Sequence, residues 1–225
     1  MSIIARNLSE QLVDLVRDRI LTGVVAPGRP IRQDALAAEL GVSKIPLREA
    51  LARLEEEGLL ASQANRGFTV RPLNAHEAEE VYALRLKLEP DTIALAARNA
   101  TSADQRKASD ILDRLDTMTD SLGDGVGAFN RAFHMALLRP AERPVTLTIL
   151  ERLHVLSERY VRKHLEPLGR DERANGEHRD MLAAWLARDE PAITALTVAH
   201  IGQTLDDLRV QLTANDTVTP GQAPG

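Results

Sequence analysis

Hydrophobic residues recur every three or four positions along most of this chain, which is the spacing of one face of an α-helix. In "LSEQLVDLVRDRILTG" the apolar positions run from Leu8 to Leu21 and predict a first amphipathic helix. Ser9 is placed to cap that helix and Gly23 to close it. After the turn "APGRP", the segment "RQDALAAEL" predicts a second, shorter helix that ends at Gly41.

A third helix is predicted directly afterwards, in "LGVSKIPLREALARLEEEGLL". Ser43 stands at its N-cap position, and Pro46 falls in the first turn, where a helix tolerates proline. Two helices about three residues apart, with a glycine in the turn, are typical of a helix-turn-helix. Two β-prone runs, 59–62 and 68–70, then flank "QANRG" and predict a hairpin with Gly67 at its tip.

The rest of the chain is predicted to be helical, because six further segments are amphipathic with a period of 3.6 residues. Such a set favours an antiparallel helical bundle. The predicted fold class is therefore mainly α, with an N-terminal winged helix-turn-helix over 1–74 and an all-helical bundle over 75–213. Residues 214–225 lack periodicity and are predicted to be a disordered tail. The six segments are 74–100, 101–122, 127–138, 145–165, 170–189 and 190–212.

Composition narrows the possible chemistry. The chain has 225 residues and a net charge of -5. It has no cysteine, so a metal could be held only by histidine, carboxylate or amide groups. Residues 1–75 are less acidic than the rest, which is weak evidence for a nucleic-acid partner. No run is long and apolar enough to cross a membrane, and no signal peptide is evident, so a cytoplasmic location is expected.

The third predicted helix presents its start to DNA if the winged-helix prediction holds, because this motif inserts that end into the major groove. Lys44 and Arg48 are four residues apart and share one helix face, beside the positive end of the helix dipole. The alternative is that both are solvated surface charges, with Arg48 paired to a glutamate. In the hairpin, Gly67 would let the backbone approach a DNA groove closely, and the neighbouring Arg66 could then enter that groove. The predicted DNA-binding residues are Arg32, Ser43, Lys44, Arg48, Arg66 and Gly67.

Histidines in the bundle suggest a metal site. Asn130 and His134 are four residues apart and leave one helix face together. His178 and His200 each lie 11 residues from Asp189, at the break between the last two helices, so an antiparallel hairpin sets them at equal height. Imidazole and amide ligands suit zinc, the first candidate, or nickel or manganese. The alternative for each histidine alone is an ordinary surface or hydrogen-bonded residue.

The other three histidines, His76, His154 and His164, are assigned to no site. His76 lies near a predicted helix start, and His154 and His164 have charged neighbours in the sequence.

The run "LAAELGVSKIPLREALARLEEEGLL…NRGFTV" closely resembles the DNA-binding domain of GntR-type transcription regulators over about residues 8–72. Their usual pattern has arginine where this chain has Lys44. Lysine is a point charge and not a bidentate fork, so we expect a weaker guanine contact there. The resemblance implies a homodimer, and two recognition helices on a two-fold axis would match a palindromic operator.

The C-terminal part resembles the FCD ligand-binding domain of the FadR subfamily. That resemblance implies that Asn130, His134, His178 and His200 hold one divalent metal, and that Arg85 binds a small-molecule carboxylate effector. The alternative for Arg85 is an ion pair with Glu89. Two other functions stay open at this point. The bundle could serve only dimerisation, or, with less support because no general base is evident, the metal could belong to an enzyme.

Overall fold

The computed structural model describes residues 3–63, 67–120, 126–165 and 170–216. The chain divides into two compact units, Met1–Leu73 and Asn74–Gly225. The described part of the first unit contains three helices and two strands: α1 Ile3–Leu21, α2 Gln33–Leu40, α3 Lys44–Glu56, β1 Leu60–Gln63 and β2 Gly67–Val70.

The core of the first unit forms where α3 packs on α1. Leu47, Ala50, Leu51 and Leu54 of α3 are fully buried, and they recur at helical spacing. Gly41 ends α2 in the left-handed conformation, with φ of 64°, which glycine adopts without steric cost. This lets α3 begin three residues later, so that the helix-turn-helix forms as predicted.

The hairpin follows α3 as an antiparallel pair, with Leu60 opposite Val70 and Gln63 opposite Gly67. The strands therefore include Gln63 and Gly67, one residue beyond the predicted run at each inner end. Gly67 has φ of 78° and opens β2 beside the turn. An isolated bridge from Pro30 to Thr69 ties the segment before α2 to the outer side of the hairpin.

The prediction that Ser9 caps the first helix is wrong. Helix α1 begins at Ile3, and Ser9 lies inside it with 6% of its surface exposed. The preceding residues contain neither glycine nor proline, so nothing in the local sequence stops the helix at Ser9.

The described part of the second unit contains six α-helices and a short 3-10 helix, Arg139–Ala141. Asn74 caps the first of them, because its side chain accepts a hydrogen bond from the backbone N–H of Glu77. The last one reaches Asp216, three residues into the segment predicted as a tail, and 217–225 lie outside the described residues. The helices are α4 Ala75–Asn99, α5 Ser102–Asp120, α6 Val126–Leu138, α7 Pro144–Leu165, α8 Arg170–Leu186 and α9 Glu190–Asp216.

The bundle is built around α4, which packs along α9 and α7, while α6 packs between α5 and α7. Trp185 of α8 is fully buried, and its indole N–H donates a hydrogen bond to the carbonyl of Leu137. The predicted fold class, a winged helix-turn-helix followed by a helical bundle, is confirmed. Among the described residues, no helix combines the length and apolarity that crossing a membrane requires.

Candidate functional site

A cavity lies inside the helical bundle, and its wall carries the polar residues that the sequence singled out there. It contains about 470 Å³ of space, part of it open to solvent. Asn130 and His134 reach it from α6, and Arg85 reaches it from α4. His178 of α8 and His200 of α9 complete the set, so four different helices contribute.

Three of the histidines form a tight cluster on this wall. His134, His178 and His200 each expose 8% or less of their surface, and one nitrogen from each lies within 4.8 Å of the others. A zinc–nitrogen bond of about 2.1 Å allows two ligand nitrogens to lie up to about 4.2 Å apart. Small side-chain rotations would therefore bring the three nitrogens to one ion. Asn130 lies one helical turn before His134, half-buried on the same wall.

The electrostatics around His134 favour its neutral imidazole. Burial lowers the pKa of His134 well below its usual 6.5, and the neighbouring His178 and His200 lower it further. The Nε2 atom of His134 is buried and has no hydrogen-bond partner among the residues that the structure describes. A buried nitrogen without a partner is costly, and a metal ion would satisfy it. The donor set therefore fits a divalent transition metal.

His200 is held from outside the cluster. Its Nδ1 lies 2.7 Å from Oε2 of Glu177, which leaves Nε2 as the nitrogen available to a ligand.

Arg85 makes the ion pair that was the alternative to effector binding, and it also lies on the cavity wall. Its Nε donates to Oε1 of Glu89 at 2.5 Å, and its guanidinium lies 5.0 Å from the centre of the Tyr82 ring. Burial alone would raise the pKa of Glu89, but the charges of Arg85 and His154 outweigh it and lower that pKa to about 2. The pair is therefore ionised inside the bundle.

His154 is a neighbour of the cluster that the sequence analysis missed. It is 1% exposed, its Nε2 lies 3.1 Å from Oε1 of Glu89, and its ring stacks on His134 with centroids 5.3 Å apart. Its charged sequence neighbours were misleading. The useful signal was its helical spacing from Leu150 and Val161, which are both buried. His76 is exposed at the start of α4, and the side chain of His164 lies outside the described residues.

In the first unit, the start of α3 is exposed. Ser43 occupies the N-cap position but makes no capping hydrogen bond with its side chain. Nζ of Lys44 lies 2.6 Å from Oδ1 of Asp34. Both side chains are mostly exposed, so this ion pair is weak. Arg48 is exposed and forms no ion pair with any described residue, so the alternative of a glutamate partner is not seen there.

The remaining predicted DNA contacts surround the same region. Arg32 is exposed at the N-cap position of α2. Gly67 lies so close to Gln33 that an added Cβ would come within 2.7 Å of the Gln33 amide nitrogen. Arg66 lies outside the described residues.

Comparison with known families assigns both halves of the chain. Residues 8–70 match the family described as bacterial regulatory proteins, gntR family, and residues 80–203 match the FCD domain. The chain belongs to the GntR family. It is a DNA-binding transcription regulator with an FCD domain, and it is not an enzyme.

Curated relatives of this GntR-family regulator are transcription regulators too. The Nta operon transcriptional regulator of Aminobacter aminovorans is 30% identical over 182 residues, covering 81% of this chain and 85% of the relative. The regulator McbR of Escherichia coli is 28% identical over 189 residues, covering 82% and 85%.

Solved structures support the fold. The structure of Escherichia coli McbR/YncC matches with a TM-score of 0.79 at 24% identity, covering 91% of this chain and 98% of the other. A GntR-type regulator from Rhodococcus sp. RHA1 matches with a TM-score of 0.73 at 22% identity, covering 92% and 97%. At these identities the likeness is one of fold.

Proposed function

We propose that this GntR-family regulator binds a palindromic operator as a homodimer in the cytoplasm and is controlled by a small organic acid bound at a metal ion. In this proposal, residues 1–74 bind DNA and residues 75–213 bind the effector and dimerise. The observation that carries it is the buried cluster of His134, His178 and His200 on the wall of a cavity.

The DNA contact of each protomer would centre on the start of α3. Arg48 has the exposure and the charge to reach a guanine edge or a phosphate, and Ser43 has a hydroxyl free of capping. Lys44 can exchange its weak partner Asp34 for a phosphate. Arg32 would add a contact to the DNA backbone, and Arg66 beside Gly67 would contact the minor groove or a phosphate. A two-fold dimer would repeat these contacts on two half-sites.

The metal would be held by neutral His134, His178 and His200, with the amide oxygen of Asn130 as a further ligand. Zinc is our first candidate, and nickel or manganese would accept the same donors. When bound, the ion supplies open coordination positions for a carboxylate. A neutral amide in place of a carboxylate leaves the site one negative charge poorer, which weakens its hold on the metal.

The effector would be a small carboxylate, because its oxygens could occupy the open coordination positions of the metal beside the cavity wall. Arg85 lies on the same wall, but its Nε already donates a hydrogen bond to Glu89. A ligand carboxylate must therefore bind the other guanidinium nitrogens, or form an ion pair with Arg85 alongside Glu89. An effector that binds one arrangement of the four helices better than another would shift the DNA affinity.

Elemental analysis and a DNA titration test the proposal together. We expect close to one equivalent of metal per chain after metal-supplemented dialysis, and a change in DNA affinity when a panel of small carboxylates is added. Less than about 0.2 equivalents, with no thermal shift, would return the histidines to a packing role. The bundle would then serve dimerisation alone.

A further inference from the structure

The first inference concerns Glu177, which lies outside the histidine cluster and contacts one member of it. Its Oε2 is 2.7 Å from Nδ1 of His200, and this hydrogen bond joins α8 to α9. A carboxylate can only accept, so Nδ1 carries a proton, and in the neutral ring Nε2 then presents its lone pair. Neither the family comparison nor the sequence assigned Glu177 a role.

We propose that Glu177 is the positioning residue that orients His200 for the metal, an inference that rests on the proposed function. Metal-bound histidines commonly donate their second N–H to a carboxylate, which selects the tautomer and holds the ring. Here the carboxylate belongs to the residue directly before His178, another member of the cluster. One short segment of α8 thus supplies a ligand and the group that orients a second ligand.

Glu177 also has a positively charged neighbour within α8. Nε of Arg173, one turn earlier, lies 3.3 Å from Oε1 of Glu177, and the same guanidinium binds Asp207 of α9. Gln203 donates to Asp207 at 3.3 Å from within α9. This chain of contacts ties together the two helices that carry His178 and His200. Orientation of the ligand is therefore coupled to the packing of α8 on α9.

The test compares zinc affinity in four full-length proteins by competition with a chromophoric chelator. Outer carboxylates of this kind change metal affinity by about 10- to 100-fold, and we expect a loss in that range for Glu177→Ala. Glu177→Gln should retain most of the affinity, because its carbonyl oxygen still accepts from Nδ1. Glu172→Ala, an exposed carboxylate on the same helix, should match the wild type.

Cobalt(II) spectra separate orientation from a general loss of structure. We expect the visible absorption of the cobalt-loaded Glu177→Ala protein to shift, with the metal-free melting temperature close to that of Glu172→Ala. Equal zinc affinity in Glu177→Ala and wild type would overturn the positioning role, as would a Gln variant as weak as the Ala variant. A wild type that binds no metal would instead refute the proposed function itself.

A second, independent inference concerns Ile45, the second residue of α3. Its surface is 72% exposed, whereas Leu47, Leu51 and Leu54 of the same helix are fully buried. Ile45 and Arg48 are three residues apart, so they share the exposed face of α3. A large aliphatic group among exposed polar side chains at this end of a recognition helix contributes nothing to the core.

We infer that Ile45 reads the 5-methyl group of a thymine. That methyl is the apolar group that a base pair presents in the major groove, and aliphatic side chains contact it directly. The neighbouring Lys44 and Arg48 supply the positive charge that brings this end of α3 to DNA. Ile45 would then add sequence preference to an interface otherwise dominated by charge.

The test begins with sites selected from a random duplex pool by the wild-type protein. Each thymine is then replaced by deoxyuridine, which lacks the methyl group. At one position per half-site, the replacement should weaken wild-type binding by about fourfold, which is the effect of losing one buried methyl group. The same replacement should leave the affinity of Ile45→Ala unchanged. Ile45→Val should keep the preference.

Two results would overturn this reading of Ile45. The first is that no position shows the methyl dependence in the wild type. The second is that wild type and Ile45→Ala lose affinity equally on deoxyuridine sites.

Discussion

The two basic residues at the start of α3 differ in whether they form an ion pair. Lys44 has a weak, exposed partner in Asp34, whereas Arg48 is exposed without an ion pair among the described residues. Replacing Lys44 therefore breaks an ion pair, whereas replacing Arg48 breaks no ion pair with any residue that the structure describes. Arg48 is the cleaner residue with which to test DNA recognition.

Arg48→Ala should abolish specific operator binding and leave the fold intact. The expected cause is the loss of a base or phosphate contact worth about 1–3 kcal/mol in each half-site. Fluorescence anisotropy of labelled operator DNA at fixed salt concentration measures the affinity. Arg53→Ala is the matched control, because Arg53 is exposed at the far end of the same helix. Unchanged affinity in Arg48→Ala would refute the contact.

The buried His134 should make the metal-free protein less stable in mild acid. Burial lowers its pKa, so below about pH 6.5 the unfolded chain binds more protons than the folded one. The free energy of unfolding should therefore fall as pH decreases from 7 to 5.5. Denaturant titrations with a chelator present would show this, and His134→Leu, which takes up no proton, should flatten the dependence.

The packing of α6 on α7 depends on a glycine close to a partly buried ion pair. Glu158 of α7 is 3% exposed in its side chain and binds Arg131 of α6 at 2.7 Å. A Cβ added at Gly127 would lie 2.8 Å from Cγ of Glu158, in the middle of that side chain. Gly127 thus leaves room for the carboxylate that joins the two helices.

Gly127→Ala should destabilise the protein by about 1–3 kcal/mol, because overpacking would displace Glu158 from Arg131. Gly202→Ala in α9 is the control, since an added Cβ there meets nothing within 4 Å. That variant should gain up to about 1 kcal/mol from helix propensity. Thermal unfolding by circular dichroism distinguishes the two, and a Gly127→Ala protein as stable as Gly202→Ala would show that the two helices adjust freely.

The whole molecule consists of two units with separate cores, and the chain contains one tryptophan. Trp185 is fully buried in the second unit, seven residues after His178 and one residue before the C-terminal end of α8. Its fluorescence therefore reports on the bundle, whereas circular dichroism reports on the helices of both units.

Added zinc should shift the unfolding transition that tryptophan fluorescence reports. An ion that binds only the folded bundle stabilises it by about 2.7 kcal/mol at 100 times its Kd. The shift should vanish in His134→Ala and in the presence of a chelator. An equal shift in wild type and His134→Ala would locate the ion somewhere else.

The helices and the DNA-binding motif followed from the sequence alone, because their signals are local. Apolar spacing, Gly41 and Pro46 act within a few residues of themselves, so they indicate α2, α3 and the turn between them without any tertiary contact. The same is true of Asn130 and His134, whose separation of four residues sets them on one helix face.

Tertiary structure decided which distant groups meet. His154 and Glu89 lie on different helices, 65 positions apart, and only packing brings their side chains within 3.1 Å. Glu177 became significant only when α8 and α9 placed it against His200. Side-chain burial and hydrogen-bond partners depend on contacts between helices. The sequence indicates which face of each helix is apolar, but it does not indicate which helix packs against that face.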